Sequence, residues 1–186
     1  MELFNYFRSS ASYRVRIALA LKGLPYDYKG VHLVRNEQLD APYAALSPQR
    51  LVPLLPADPV GRARVRSLAL DVACEIHPLN NLRVLRYLVK ELGASEDAKN
   101  AWYRHWVESG LEVIERRLNQ EPGTGRHCHG DTPTLADCLL VPQIFNAQRF
   151  DCRLDHVPTV MRVFDACMAH PAFQAAQPSA CPDADA

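Results

Sequence analysis

One segment limits most sharply what this chain can fold into. Leu3-Phe4-Asn5-Tyr6-Phe7 reads as a strand, and Val15, Ala18, Leu19 and Lys22-Gly23 read as a helix with an apolar face and a glycine stop. Between them, Arg8-Ser9-Ser10-Ala11-Ser12 puts three hydroxyls at the strand end and the first helical turn. After Gly23-Leu24-Pro25, the stretch Tyr26–Val31 alternates like a second strand. A strand–helix–strand unit favours a parallel pair joined by a right-handed crossover. The first turn of a helix carries free N–H donors and partial positive charge. Hydroxyls there either cap the helix, the commoner role, or donate to an anion such as a thiolate. These residues by themselves leave both readings open.

The chain beyond this unit changes character. Residues 36–45 read as a short irregular helix, followed by Leu51-Val52-Pro53. From Pro59 onward the pattern is almost wholly helical. Gly61 to Leu92 forms a long helix or a pair, interrupted at Pro78. Ala98 to Asn119 places Trp102, Trp106, Leu111, Ile114 and Leu118 at helical spacings, and Gly123-Thr124-Gly125 breaks the chain. Thr134 with Asp137 makes a capping-box-like start to an apolar helix through Phe145, with an acidic residue in place of Glu. This pair reads as structural rather than catalytic. A final helix spans Pro158 to His170, and the Pro- and Ala-rich tail from Gln177 reads as disordered.

Composition excludes several function classes. The 186 residues carry 21 basic and 21 acidic side chains, with no like-charge run of the kind that binds nucleic acid or a membrane surface. Arg62, Arg64 and Arg66 read as a solvated helix face. No apolar stretch approaches the roughly 18–20 residues needed to span a bilayer, and the amino terminus lacks a signal-peptide pattern. A soluble cytoplasmic protein is the simplest inference. Six scattered cysteines are expected as free thiols, with Cys74, Cys138 and Cys167 in the core. His127-Cys128-His129 reads as a loop tripeptide rather than a metal site, and no metal is expected. With no CxxC there is no basis for dithiol redox chemistry.

The serine motif and its helix, through Arg14-Val15-Arg16-Ile17-Ala18-Leu19-Ala20-Leu21-Lys22-Gly23, resemble the signature of the zeta-class glutathione transferases, a family that includes maleylacetoacetate and maleylpyruvate isomerases. Further matches follow in order at residues 49–53, 76–82, 130–137, 141–143 and 146–150, so the resemblance runs from Met1 to about Phe173. It implies an α/β plus all-α architecture. A thioredoxin-like glutathione-binding domain, incomplete as the chain stands, would occupy residues 1–55, and an all-helical substrate-side domain residues 56–186. The cleft is expected between them. The resemblance also implies a homodimer, glutathione as cofactor and a small dicarboxylate as substrate. The expected activity is conversion of maleylacetoacetate to fumarylacetoacetate by reversible thiolate addition. Maleylpyruvate isomerisation, general glutathione transfer, and glutathione binding without turnover are the alternatives.

Site residues follow by matching positions. Ser9 is the first choice to donate to the glutathione sulfur, with Ser10 and Ser12 as understudies. Position 11 is alanine where some relatives carry cysteine, so protein-thiol chemistry is excluded there. Arg8 and Arg149 are the expected carboxylate receivers, since guanidinium groups hold carboxylates through paired hydrogen bonds. Gln38, Val52, His77 and Asn81 match glutathione contacts, with Val52-Pro53 resembling the cis-proline turn. His77 stands where some relatives have glutamine, and Arg83 is left out of the site.

One block of the family pattern is missing. Relatives continue after the Val-Pro motif with a strand, a turn, a strand and a helix opening with Gln-Ser. Here Val52-Pro53 runs straight into Leu54-Leu55-Pro56-Ala57-Asp58-Pro59. Either the block is deleted, which exposes core and removes ligand contacts, or the numbering closes over chain that is present but unresolved. The second reading is favoured, because half a small sheet domain rarely keeps its stability. A Pro53–Leu54 Cα separation near 3.8 Å would defeat it.

Overall fold

The structure, a computed structural model, describes residues 1–31 and 54–184. Its contacts divide the chain into two units, Met1–Leu54 with Ala169–Ala186, and Leu55–Met168.

The first unit is built on the expected strand–helix–strand. Strand β1 (Glu2–Asn5) pairs in parallel with β2 (Asp27–Gly30), Glu2 opposite Asp27 and Asn5 opposite Gly30. Helix α1 (Ser10–Leu21) connects them. It stops as the sequence predicts: Gly23 takes φ +61°, its N–H bonds the Ala20 carbonyl, and the Leu24 N–H reaches back to the Leu19 carbonyl. That pair of bonds satisfies carbonyls the helix end would otherwise leave open, in a conformation glycine adopts without penalty. Tyr13 and Ile17 bury the inner face of α1, together with Arg16, which is 1% exposed.

The carboxy-terminal segment belongs to this unit, which corrects two expectations. Helix α8 (Pro171–Ala176) packs against α1, and a 3-10 turn (Pro178–Ala180) follows. Phe173, Ala176, Pro178 and Cys181 are buried, and Cys181 clusters with Tyr6, Phe7, Tyr28 and Ala184. The tail from Gln177 is therefore ordered through Ala184, because its few apolar residues find a core to enter. For the same reason the last 18 residues group with the amino-terminal unit rather than the helical one.

The second unit is helical. Helix α2 (Pro59–Leu70) runs into a π-helical turn (Asp71–Ile76), then α3 (His77–Asn80) and α4 (Leu82–Lys90). The expected interruption at Pro78 takes this form: wider i→i+5 winding absorbs the hydrogen bond that proline cannot make. The turn packs against α5 (Glu96–Gln120) at a glycine. A Cβ on Gly110 would stand 2.4 Å from Ile76 Cγ1, so only glycine allows this approach. Helices α6 (Leu135–Arg149) and α7 (Pro158–Met168) complete the unit. Glu115 on α5 accepts from the Thr159 and Val160 N–H groups at 3.0 and 2.8 Å, capping α7 from a neighbouring helix.

Thr134 and Asp137 form the expected cap at the start of α6. Asp137, fully buried, accepts from the Thr134 N–H (2.7 Å), the Thr134 hydroxyl (2.8 Å) and the Cys128 N–H (2.8 Å). All six cysteines are free. Cys138 and Cys167 are core as expected, but Cys74 is exposed, since the π turn rotates it off the buried stripe. Arg64 is likewise not part of a solvated face. It is bonded to Glu121 (2.7 Å), the Cys128 carbonyl (2.6 Å) and Thr124 (2.8 Å), tying the 121–131 loop to α2.

The sequence is continuous over all 186 residues. The reading of an unresolved stretch after Pro53 therefore falls, although the Pro53–Leu54 spacing itself lies outside the described residues. The amino-terminal unit draws support from the carboxy-terminal segment packed on α1.

Candidate active site

Ser9 is the N-cap of α1, with extended backbone (φ −71°, ψ 120°). Its Oγ accepts from the Ser12 N–H at 3.3 Å, and its carbonyl accepts from the Tyr13 N–H at 2.8 Å. The cap uses the oxygen as an acceptor and leaves the hydroxyl hydrogen to donate. Capping and anion binding, opposed in the sequence, are thus compatible in one side chain. Ser12 turns inward, its Oγ accepting from the Tyr6 N–H at 3.4 Å, which ties the strand end to the helix start. Ser10 is buried at the first helical position. The N–H groups of Ser10 and Ala11 have no hydrogen-bond partner among the described residues, so the helix start keeps free donors. A sulfur or carboxylate anion fits such a cradle.

The turn entering Ser9 is held firmly. The Ser9 N–H bonds the Tyr6 carbonyl at 3.0 Å. Buried Arg16 donates to Asn5 Oδ1 (2.7 Å), the Phe7 carbonyl (3.1 Å) and the Ala176 carbonyl (2.9 Å). Arg8 is exposed, its guanidinium 4.9 Å from the Phe7 ring centre. Sequence reasoning passed over Arg14, one helical turn beyond Ser10 on the same face. Its Nε and Nη2 are buried without a partner among the described residues, and burial lowers its pKa to about 10. The only available signal was the i, i+4 spacing from Ser10, which does not separate a buried arginine from a surface one.

In the second unit, Arg149 closes the last turn of α6. It is exposed, bonded to Asn146 Oδ1 at 3.3 Å, with its guanidinium 6.0 Å from the Phe145 ring. His77 opens α3 directly after the π turn and is half-buried. Asn81 is committed to the fold. Its Oδ1 accepts from the Arg83 and Val84 N–H groups (3.0 and 3.2 Å) as the cap of α4, and its Nδ2 donates to the Pro78 carbonyl at 2.8 Å. A glutathione contact there has to compete with the cap. Gln38 and Val52, and with them the Val52–Pro53 bond, lie outside the described residues.

One buried cluster joins residues to which the sequence assigns separate roles: a loop histidine, a helix cap and a core cysteine. Donor atoms of His127, Asp137 and Cys167 all lie within 4.8 Å of one another. Both oxygens of Asp137 already accept from the cap and from Cys128. Burial first, and the Asp137 charge second, push the Cys128 and Cys167 thiols up, so they stay protonated. The Cys167 thiol donates to Asp137 Oδ1 at 3.7 Å, so the cluster is a hydrogen-bonded core node.

Comparison with known proteins identifies the family. Residues 3–80 match the model of the glutathione S-transferase N-terminal domain. Maleylpyruvate isomerase of a Ralstonia species is 45% identical, covering 98% of this chain and 99% of its own length. A holo structure of a maleylpyruvate isomerase, described as a bacterial zeta-class glutathione transferase, superposes with a TM-score of 0.92 at 45% identity, covering 98% of this chain and 99% of that one. The maleylacetoacetate isomerase of Anaeromyxobacter dehalogenans 2CP-1, with dicarboxyethyl glutathione and citrate in its active site, gives 0.86 at 40% identity, covering 100% of this chain and 97% of that one. The Ralstonia alignment spreads 98% of 186 residues, about 182, over 210 positions, so about 28 positions face gaps in this chain. With identity at this level along the whole length, the chain belongs to the zeta-class glutathione transferases.

Proposed function

We propose that this chain is a glutathione-dependent cis–trans isomerase of maleyl keto acids, acting on maleylacetoacetate or on maleylpyruvate, which share the maleyl end. The observation that carries this reading is Ser9: a capping serine whose hydroxyl hydrogen has no acceptor among the described residues, beside two N–H groups likewise without a partner among them at a helix start. Glutathione, when bound, supplies the thiolate that adds reversibly to the maleyl double bond and lets it rotate. The chain's own residues hold that sulfur as an anion. Ser9 donates to it, and the free N–H groups and helix dipole of α1 add positive potential. Arg8 and Arg149 receive the substrate carboxylates, both being exposed and free of any acidic partner among the described residues. Gln38, Val52 and His77 complete the glutathione contacts. The dicarboxyethyl glutathione bound in the Anaeromyxobacter relative joins a sulfur to two carboxylates, the same pair of groups these residues are suited to hold.

The assay follows isomerisation of both keto acids by the dialysed protein, with and without added glutathione, beside a generic electrophile. Turnover of a maleyl substrate only with glutathione is expected. Equal turnover without it overturns the reading, as does retention on immobilised glutathione with no isomerisation of either acid. Arg149→Ala should raise KM for the keto acid about tenfold or more, the equivalent of about 1.4 kcal/mol of lost binding, while leaving glutathione affinity unchanged. We further propose a cytoplasmic homodimer, tested by sedimentation of the purified protein. No described helix is long and apolar enough to cross a membrane.

A further inference from the structure

The peptide groups on either side of Phe7, two residues before Ser9, are held by residues far away in the sequence. The Phe7 N–H donates to Asp183 Oδ2 at 3.3 Å. The Phe7 carbonyl accepts from Arg16 Nη2 at 3.1 Å. Arg16 is in turn anchored to the carboxy-terminal segment through the Ala176 carbonyl at 2.9 Å. Asp183 has a second anchor, the Tyr28 hydroxyl on β2, which donates to its Oδ1. Between these two anchors, Cys181 packs against Tyr6 and Phe7. The turn that delivers Ser9 to the start of α1 is therefore held on its N–H side by Asp183 directly, and on its C=O side by Arg16, which is itself anchored to Ala176.

We propose that the carboxy-terminal segment is a working part of the active site, with Asp183 as a positioning residue that fixes the Phe7–Ser9 turn and so aims the Ser9 hydroxyl. This inference rests on the glutathione reading and deepens it. A donor is effective only when held in place before the anion arrives. The Ser9 turn lies in an amino-terminal strand–helix connection, whose β1–β2 pair would be a weak support by itself. The Asp183 carboxylate bonds to a backbone N–H and to a hydroxyl, and charge-assisted bonds of this kind are stronger than neutral ones. Asp183 touches neither sulfur nor substrate in this scheme. It acts through the backbone of Phe7.

The test uses the full chain with Asp183→Asn, Asp183→Glu and Tyr28→Phe. The readouts are the ionisation of bound glutathione, followed by thiolate ultraviolet absorbance against pH, and kcat and KM for whichever maleyl keto acid the parent turns over. Asp183→Asn is expected to move the midpoint of thiol ionisation up by about half to one pH unit, a threefold to tenfold loss of thiolate near neutrality. It should lower kcat by a similar factor, with KM for the keto acid nearly unchanged. Asp183→Glu should recover part of both, and Tyr28→Phe should show a smaller shift in the same direction. A structural role limited to stability would lower the melting temperature and leave the ionisation midpoint in place. If Asp183→Asn does not fold, Tyr28→Phe decides: it leaves the Phe7 contact standing but frees its partner. An unchanged midpoint and kcat in the folded variants overturns the proposal while the parent's glutathione-dependent activity stands. Absence of that activity in the parent instead overturns the functional reading beneath it.

Discussion

Replacing Ser9 by alanine removes two interactions that can be measured apart. The first is the cap: the Ser12 N–H loses its acceptor at 3.3 Å. Loss of an N-cap serine costs about 1 kcal/mol, which for a chain of this size lowers the melting temperature by roughly 2–4 °C. The second is the donor to the glutathione sulfur. Removing one preorganised donor to a reacting anion costs about 10²–10³ in rate, and the ionisation midpoint of bound glutathione should rise. Two companion variants separate these effects. Ser9→Thr keeps both the acceptor and the O–H, so stability and activity should stay near the parent. Ser9→Asp keeps the cap, since aspartate is among the best N-cap residues, but puts a negative charge where the thiolate must sit. It should be as stable as the parent and nearly inactive. Thermal melts, thiolate absorbance and kcat/KM together place each variant on both axes. The reasoning is refuted if Ser9→Ala loses the expected stability yet keeps kcat/KM within about threefold and an unmoved ionisation midpoint. The donor would then be Ser10, Ser12 or the free N–H groups of the turn.

The remaining expectations concern the scaffold. Asp137→Asn keeps one acceptor oxygen, so it gives up either the two bonds from Thr134 on Oδ2 or the bonds from Cys128 and Cys167 on Oδ1, and should cost about 2–3 kcal/mol; a melting temperature within about 2 °C of the parent would contradict this. Gly110→Ala forces a methyl to within 2.4 Å of Ile76 Cγ1 and should cost about 1–3 kcal/mol. Pairing it with Ile76→Ala should recover part of the Gly110→Ala penalty, which a double-mutant cycle would detect. Burial pushes the Glu121 carboxyl up, but the bonds and charges of Arg117 and Arg64 outweigh burial and hold it below the usual carboxylate range. Because the folded value is depressed, the stabilisation is complete above the unfolded value, about pH 4.3, and is lost as pH falls through the folded one. Glu121 is part-exposed, so the effect should stay below about 1 kcal/mol. The melting-temperature gap between parent and Glu121→Gln should close on acidification, and a gap independent of pH would refute the assignment.

What was legible in the sequence was local. The cap at Ser9, the stop at Gly23, the Thr134–Asp137 start and the break before Pro78 are all written in residues within four positions of one another. Hydrogen bonds over such spans are fixed by backbone geometry, so residue type alone announces them. What was not legible joins distant residues. Arg64 looked solvated because its charge pattern gives no sign of Glu121 or the Cys128 carbonyl. Cys74 reads as buried on a regular helix, but a π turn shifts the phase there and leaves it exposed. Asn81 matched a ligand position, yet its side chain closes a helix start, a competition that spacing does not resolve. Asp137 was read correctly as a cap, while its junction with Cys128 and Cys167 depends on a loop fold no period reveals.

The tail is the most instructive failure, because it also explains how the amino-terminal unit holds together. Low complexity suggested disorder, an argument from how little apolar surface a segment can bury. Apolar area within a segment does not by itself decide its order; the partner it meets does. Here the partner is a buried arginine on α1 that needs acceptors: with Asn5, Phe7 and Ala176 engaged, Arg16 is satisfied at three nitrogens in a site 1% exposed. Take away the Ala176 carbonyl and a buried guanidinium N–H is left unsatisfied, at a cost of about 1–3 kcal/mol. The segment is held by that requirement together with Phe173, Ala176 and Cys181. In return it extends a unit whose described sheet has two strands, too few to stand without packing on another element. Order at the carboxy terminus and stability of the serine turn are therefore one equilibrium. A perturbation at either end should be felt at the other.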